Sequence, residues 1–237
     1  MMVDSLALGG DQGLLLDALG QVIRARRSVR GFLPRPVPPD TLRQVFEHAQ
    51  NAPSNCNVQP WRSYVASGDT CERARTALLA RFDAKVPPAY DFSGGPNVFE
   101  GEYRDHQVQC AVALYSEMGI GRGDGVGRVR AARRNFELFD APHVVFIGMH
   151  KSFGATVAID VGIYLQTLML AMTAHGIACC PQGALRSYPD VVRELFAVPD
   201  DIGILCGVSF GYEDTSVPAN RTRVGRASLE SNVSFLD

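Results

Sequence analysis

Leu15, Leu19, Val22 and Ile23 recur at helical spacing near the start of the chain, and Asp11 stands where an N-cap belongs. The pattern predicts a helix that ends near Arg26. Leu33 to Pro39 holds four prolines and must run extended. Leu42, Val45, Phe46 and Ala49 then mark a second helix over Asp40 to Ala52, and Arg62 to Ser67 reads as a strand. Residues 83–101 are rich in proline, glycine and aromatics, the composition of a long loop that walls or covers a site.

A helix is predicted over Asp105 to Met118, followed by glycine-rich Gly119 to Gly127. Val126, Val129, Ala132, Phe136 and Phe139 form the next helical face, with Arg130, Arg133 and Arg134 on its solvated side. His143 to Met149 is a short β-branched run and predicts a buried strand. Residues 155–176 form a long apolar helix. Asp160, Gln166, Thr167 and His175 interrupt it, which favours a helix buried all round in a core over a membrane span. Ser187-Tyr188-Pro189-Asp190 is a helix start of the S-x-x-D type leading into Val191, Val192, Leu195 and Phe196. Ile202 to Phe210 is a third apolar strand, and Asn232 to Leu236 looks extended. Strands separated by helices place the chain in the α/β or α+β class around one sheet. One domain over 1–237 is expected, with 1–11 flexible and 83–134 an insert covering the site.

Composition narrows the function. The 237 residues are 46% hydrophobic and 20% charged with a formal net charge of -2, which suits a globular protein and not a nucleic-acid binder. The N-terminus has no basic n-region, apolar core and small-residue cleavage site. Six cysteines are scattered without a C-x-x-C, so reduced thiols in a cytoplasm are expected, and five dispersed histidines argue against a metal centre. Triad, zincin, P-loop and Rossmann patterns are absent.

The sequence does contain two arginine groups far apart and an amide-rich loop. Arg26-Arg27-Ser28-Val29-Arg30 and Arg221, Arg223 and Arg226 would together hold one dianion if they converged. Pro53-Ser54-Asn55-Cys56-Asn57-Val58-Gln59-Pro60-Trp61 carries short polar groups on a segment too irregular for helix or strand.

R-R-S-V-R after the first helix, then A-P-S-x-x-N-x-Q-P-W, resembles the N-terminal signature of the FMN-dependent nitroreductase family. Cys180-Pro181-Gln182-Gly183-Ala184-Leu185, Tyr188-Pro189, Cys206-Gly207 and Gly211-Tyr212-Glu213-Asp214 follow in order, and Asn220, Arg223, Arg226 and Leu229 resemble its closing N-x-x-R-x-x-R-x-x-L pattern. The resemblance runs from residue 20 to the end, apart from 83–134. It implies an α+β, α/β-like three-layer sandwich with a central mixed sheet flanked by helices, in a domain-exchanged homodimer with FMN at the interface.

The implied activity passes hydride from NAD(P)H through flavin N5 to nitroaromatics, quinones or similar electron-poor substrates by a ping-pong route, with no catalytic side chain required. The alternatives are other flavin chemistry on the same fold (dehydrogenase, dehalogenase or flavin-fragmenting) and a flavin-free binding module. By resemblance, Arg26, Arg27 and Ser28 take the phosphate and ribityl end, and Arg223 and Arg226 close over the phosphate. Arg30 stands beside N1 and O2, where a cation raises the flavin potential. Pro53, Ser54, Asn55 and Asn57 reach the flavin from the other subunit, with Gln59 and Trp61 bracing their loop. Pro181, Gln182 and Gly183 face O4 and N5 through backbone groups, although relatives often carry an acidic residue where this chain has Gln182. Phe92, Phe99, Phe136 and Phe139 are candidates for an aromatic substrate slot, with core packing the competing role. Arg130, Arg133 or Arg134 is a further candidate for the 2′-phosphate of NADPH.

Overall fold

Two central strands, β2 (His143–His150) and β4 (Ile202–Gly211), pair antiparallel and carry β1 (Arg62–Ser67) and β3 (Ala178–Gln182) on their outer sides, giving the order β1-β2-β4-β3. The computed structural model describes residues 12–92 and 98–236. The Asp11 cap, the N-terminal stretch expected to be flexible, and Gly94, Gly95 and Pro96 of the long loop lie outside them. Around the sheet are α1 (Gln12–Ala25), α2 (Pro39–Ala49), α3 (Gly68–Asp83), α4 (Gly101–Glu117), α5 (Gly125–Arg133), α6 (Ala155–Ala174), α7 (Pro189–Phe196) and α8 (Leu229–Asn232).

Alternation along the central strands builds three layers. Val145, Ile147, Met149, Val208 and Phe210 pack with α2 and α6 on one face. Val144, Phe146, Ile202 and Ile204 pack with α3 and α7 on the other. The strand ladders are all antiparallel, so the parallel part of the expected mixed sheet is confined to the bridge between Ser28 and Cys179. β3 contains Pro181, which an edge strand tolerates because its missing N–H leaves no ladder bond unmade.

Several elements differ from the sequence reading. α3 follows β1 without a loop, starting at Gly68 with φ +52°, where a side chain would be strained. α5 stops at Arg133, and its Val126 and Val129 face outward, 83% and 61% exposed. Phe136 and Phe139 reach the core past the helix end, through a turn in which Leu138, Phe139 and Asp140 are all left-handed at φ 55°, 53° and 63°. α6 is buried on one side only, through Asp160, Val161, Tyr164, Leu168, Met169 and Met172, while Ile159 and Ile163 are exposed. At α7 the N-cap is Tyr188 without a side-chain cap bond, not Ser187, and Pro189 in the first turn supplies the preset φ.

Candidate functional site

The arginine segment hangs on the free edge of β3. Ser28 bridges Cys179, and the Val29 N–H donates to the Cys179 carbonyl at 3.0 Å. Residues of an extended segment point alternately to opposite sides. Val29 enters the core at 2% exposure. Arg27 turns to Glu213, with which it pairs, and donates to the Asn220 carbonyl at 3.0 Å. Arg26, Ser28 and Arg30 share the remaining side.

Asn220 is the clasp between the two chain ends, and it was absent from the expected site. Its side chain, 2% exposed, accepts from the Arg30 N–H at 2.6 Å and donates to the Gly31 and Asp214 carbonyls at 2.9 and 2.8 Å. Its carbonyl also accepts from Arg223 at 2.9 Å. Gly31 is required, because a Cβ there would meet Val217 at 2.5 Å. The sequence signal for Asn220 was its place at the head of N-x-x-R-x-x-R.

This clasp brings the two arginine groups to one cavity of about 530 Å³, walled by Arg24, Arg26, Arg27, Arg30, Arg223 and Arg226 together with Ser28, Cys110 and Thr222. Among the described residues no acidic side chain lines it. Arg221 is diverted, pairing with Glu117 at 2.9 Å. The Thr222 hydroxyl is buried with no hydrogen-bond partner among the described residues, an unusual cost for a native side chain. An orphaned hydroxyl in a wall of guanidinium forks fits a phosphate with a hydroxylated tail.

The amide loop lies elsewhere: Pro53, Ser54, Asn55 and Asn57 do not line that cavity. Cys56, Asn57 and Gln59 are left-handed at φ 49°, 54° and 48°, a strain that side chains offset. The Gln59 N–H donates to Ser54 Oγ at 2.9 Å, and the Gln59 amide donates to both oxygens of Asn57 at 3.0 Å. The Asn55 N–H donates to buried Asp160 of α6 at 3.2 Å. Trp61 stacks on Tyr164 at 4.8 Å and donates to Gln50 at 3.2 Å, a contact of about 1 kcal/mol beyond burial. The bracing role expected of Gln59 and Trp61 is therefore what the loop uses them for.

Gln182 ends β3, and its side chain faces inward at 3% exposure. Its carbonyl oxygen accepts from Ser209, and its amide donates to the Asn135 carbonyl at 2.8 Å. Neither end is left for a ligand, so only backbone groups at Pro181, Gln182 and Gly183 remain for that role. Phe136 stacks on Phe82 at 4.8 Å in the core, Phe92 fills the space over Gly203, and Phe99 is 41% exposed. Phe139 lines a second cavity beside Arg30. Arg133 pairs with Asp83 and Glu137, and Arg134 with Glu137 and Asp140, so neither is the solvated cation expected. Burial pushes the Cys179 thiol up to about 12 and Cys180 to about 11, so both are unreactive near neutrality.

The start of the insert is pinned to the turn before α7, to α7 and to β4. The Ala89 N–H donates to the Ser187 carbonyl at 2.9 Å, and Asp91 accepts from Arg193 at 2.6 Å and from the Ile204 N–H at 2.8 Å.

The model of the Nitroreductase family matches residues 23–212. The chain is 39% identical over 221 residues to nitroreductase NfnB of Mycolicibacterium smegmatis, covering 93% of this chain and 94% of that one. It is 32% identical to a 4-nitrobenzoate reductase of a Nocardioides species, covering 93% and 91%. In structure it is similar to the FMN-dependent nitroreductase NfnB from Mycobacterium smegmatis in complex with NADPH, with a TM-score of 0.90 at 38% identity over 94% of this chain and 100% of that one. Motif order, the converged arginines, sequence and fold agree, and the chain belongs to the Nitroreductase family.

Proposed function

We propose that this protein is an FMN-dependent nitroreductase that oxidises NAD(P)H, reduces nitroaromatic compounds and acts as a homodimer. The observation that carries the reading is the single cavity walled by arginines from both ends of the chain. The relatives' names supply the substrate class.

FMN, when bound, supplies a group that takes hydride from one ring and gives it to another. The protein's residues bind and orient. Arg26, Arg27, Ser28, Thr222, Arg223 and Arg226 hold the phosphate and ribityl end. Arg30 sets a positive charge beside the flavin's pyrimidine edge. Backbone groups at Gln182 and Gly183 orient the ring.

Pro53, Ser54, Asn55 and Asn57 serve the site of a second copy. Two features support that assignment. Pro53, Asn55 and Asn57 are exposed yet away from this chain's arginine cavity. α1 has no buried residue and exposes Leu14, Leu16, Leu19 and Ile23, and α6, which α1 touches, exposes Ile159 and Ile163. Apolar surface of this extent marks an interface. Within the 83–134 segment α4 covers the site: its Cys110 reaches the arginine cavity, and it walls a further one of about 650 Å³ against Arg223 and Arg226. Six thiols outside disulfides suit the cytoplasm.

The test is spectroscopic. Purified protein is expected to be yellow, to bleach with NADPH without oxygen, and to recolour with 4-nitrobenzoate. Light scattering is expected to give twice 25.7 kDa. Colourless protein that takes up no added FMN would overturn the reading, and Arg27→Ala with Arg226→Ala is expected to weaken FMN binding about a hundredfold.

A further inference from the structure

A second cavity of about 210 Å³ shares Arg30 with the first and is bounded by Leu114 of α4, Met118 just past its end, Arg130 of α5, Arg134 and Phe139. It is smaller than the roughly 300–1,000 Å³ usual for drug-sized ligands, so its occupant is compact. Among the described residues no Asp or Glu lines it. The charge of Arg134 is spent on Glu137 and Asp140, at 2.6 and 2.7 Å. Among the described residues the Arg30 side chain reaches only a backbone group, the Ser28 carbonyl two positions back, at 3.3 Å. The Arg130 side chain has neither a hydrogen bond nor an ion pair among the described residues.

We propose that this cavity takes the carboxylate of a compact aromatic acid, that Arg130 grips it, and that the protein thereby prefers nitroaromatic acids to neutral nitroarenes. The inference rests on the nitroreductase reading and narrows its substrate. A planar carboxylate matches one guanidinium fork, which presents two parallel N–H donors. Leu114, Met118 and Phe139 offer the ring an apolar wall, with a thioether suited to an aromatic edge. A phosphate is better served by the larger cavity, where six arginines converge.

The test compares 4-nitrobenzoate with nitrobenzene on the FMN-loaded protein. Arg130→Ala is expected to lower the ratio of their kcat/KM values about tenfold, and Arg130→Lys to restore part of it. Benzoate binding, read by calorimetry with no turnover, is expected to weaken equally. An unchanged ratio, or a rise in the KM for NADPH in place of 4-nitrobenzoate, would overturn the proposal and assign Arg130 to the surface or to the dinucleotide. Protein that reduces no nitroarene but loses benzoate binding on Arg130→Ala would keep the carboxylate site and reject the nitroreductase reading. Arg130 is exposed, so its removal leaves the core intact.

Discussion

Arg27 and Glu213, 186 positions apart, form an ion pair at the back of the arginine cavity, while a second nitrogen of Arg27 donates to the Asn220 carbonyl at 3.0 Å. The pair ties the segment after α1 to the turn after β4. Arg27 is thus both a brace and a member of the cavity wall.

The two roles separate by mutation. The side chains are 26% and 23% exposed, so the pair is worth less than a buried one, about 1–2 kcal/mol. Glu213→Ala and Arg27→Ala are each expected to lower Tm by about 2–8 °C. Only Arg27→Ala is expected to weaken FMN binding, because Glu213→Ala releases a guanidinium toward the phosphate. Equal loss of affinity in both variants, measured by flavin fluorescence, would reduce Arg27 to a brace.

Gln182→Glu tests the buried amide that ends β3. The new carboxylate would lose the amide donor and face the Asn135 carbonyl in a site 3% exposed. A cost of about 2–4 kcal/mol is expected in urea unfolding. Wild-type stability would mean that the Ser209 and Asn135 contacts do not fix the side chain.

His143 links stability to acidity. Its Nε2 accepts from the Val37 N–H at 2.8 Å, its Nδ1 meets Ser67 Oγ at 2.6 Å, and burial holds its pKa below the ordinary 6.5. The unfolded chain therefore takes up this proton at a higher pH than the folded one. The neutral imidazole's contribution is complete above about pH 6.5 and is lost as pH falls toward the lowered folded value. His143→Gln is expected to flatten this part of the Tm–pH curve. An identical slope in the variant would locate the sensitivity at another group.

Arg30→Ala is expected to leave FMN bound while lowering its midpoint potential by about 30 mV for each 1.4 kcal/mol of lost charge stabilisation. An unaltered redox titration would remove Arg30 from the flavin edge.

Much of this was legible in sequence because the signals are local. β1 lies over the expected Arg62 to Ser67, and β2 and β4 each extend one residue past their expected ends, since short apolar runs leave little choice of register. α3 escaped because its inward residues, Cys71, Ala74 and Leu78, include two too small to mark a stripe. β3 escaped because Pro181 argues against a strand until the strand is known to be an edge. The outward Val126 and Val129 misled because apolar spacing shows a face, not what covers it. Among site residues the arginines were visible by charge. Asn220 showed only as the head of a motif, without its role, and Thr222 not at all, since a clasping amide and an orphaned hydroxyl acquire meaning only once distant segments meet.

The hold of β3 on the Arg26–Arg30 segment imposes a parity rule on how this protein can diverge. Losing or gaining one residue there would swap inner for outer positions, sending guanidinium groups toward the core and Val29 toward the anion. Length changes by two would preserve the alternation. Homologues should therefore vary freely in which cations they use at these positions, and almost never in their odd–even order.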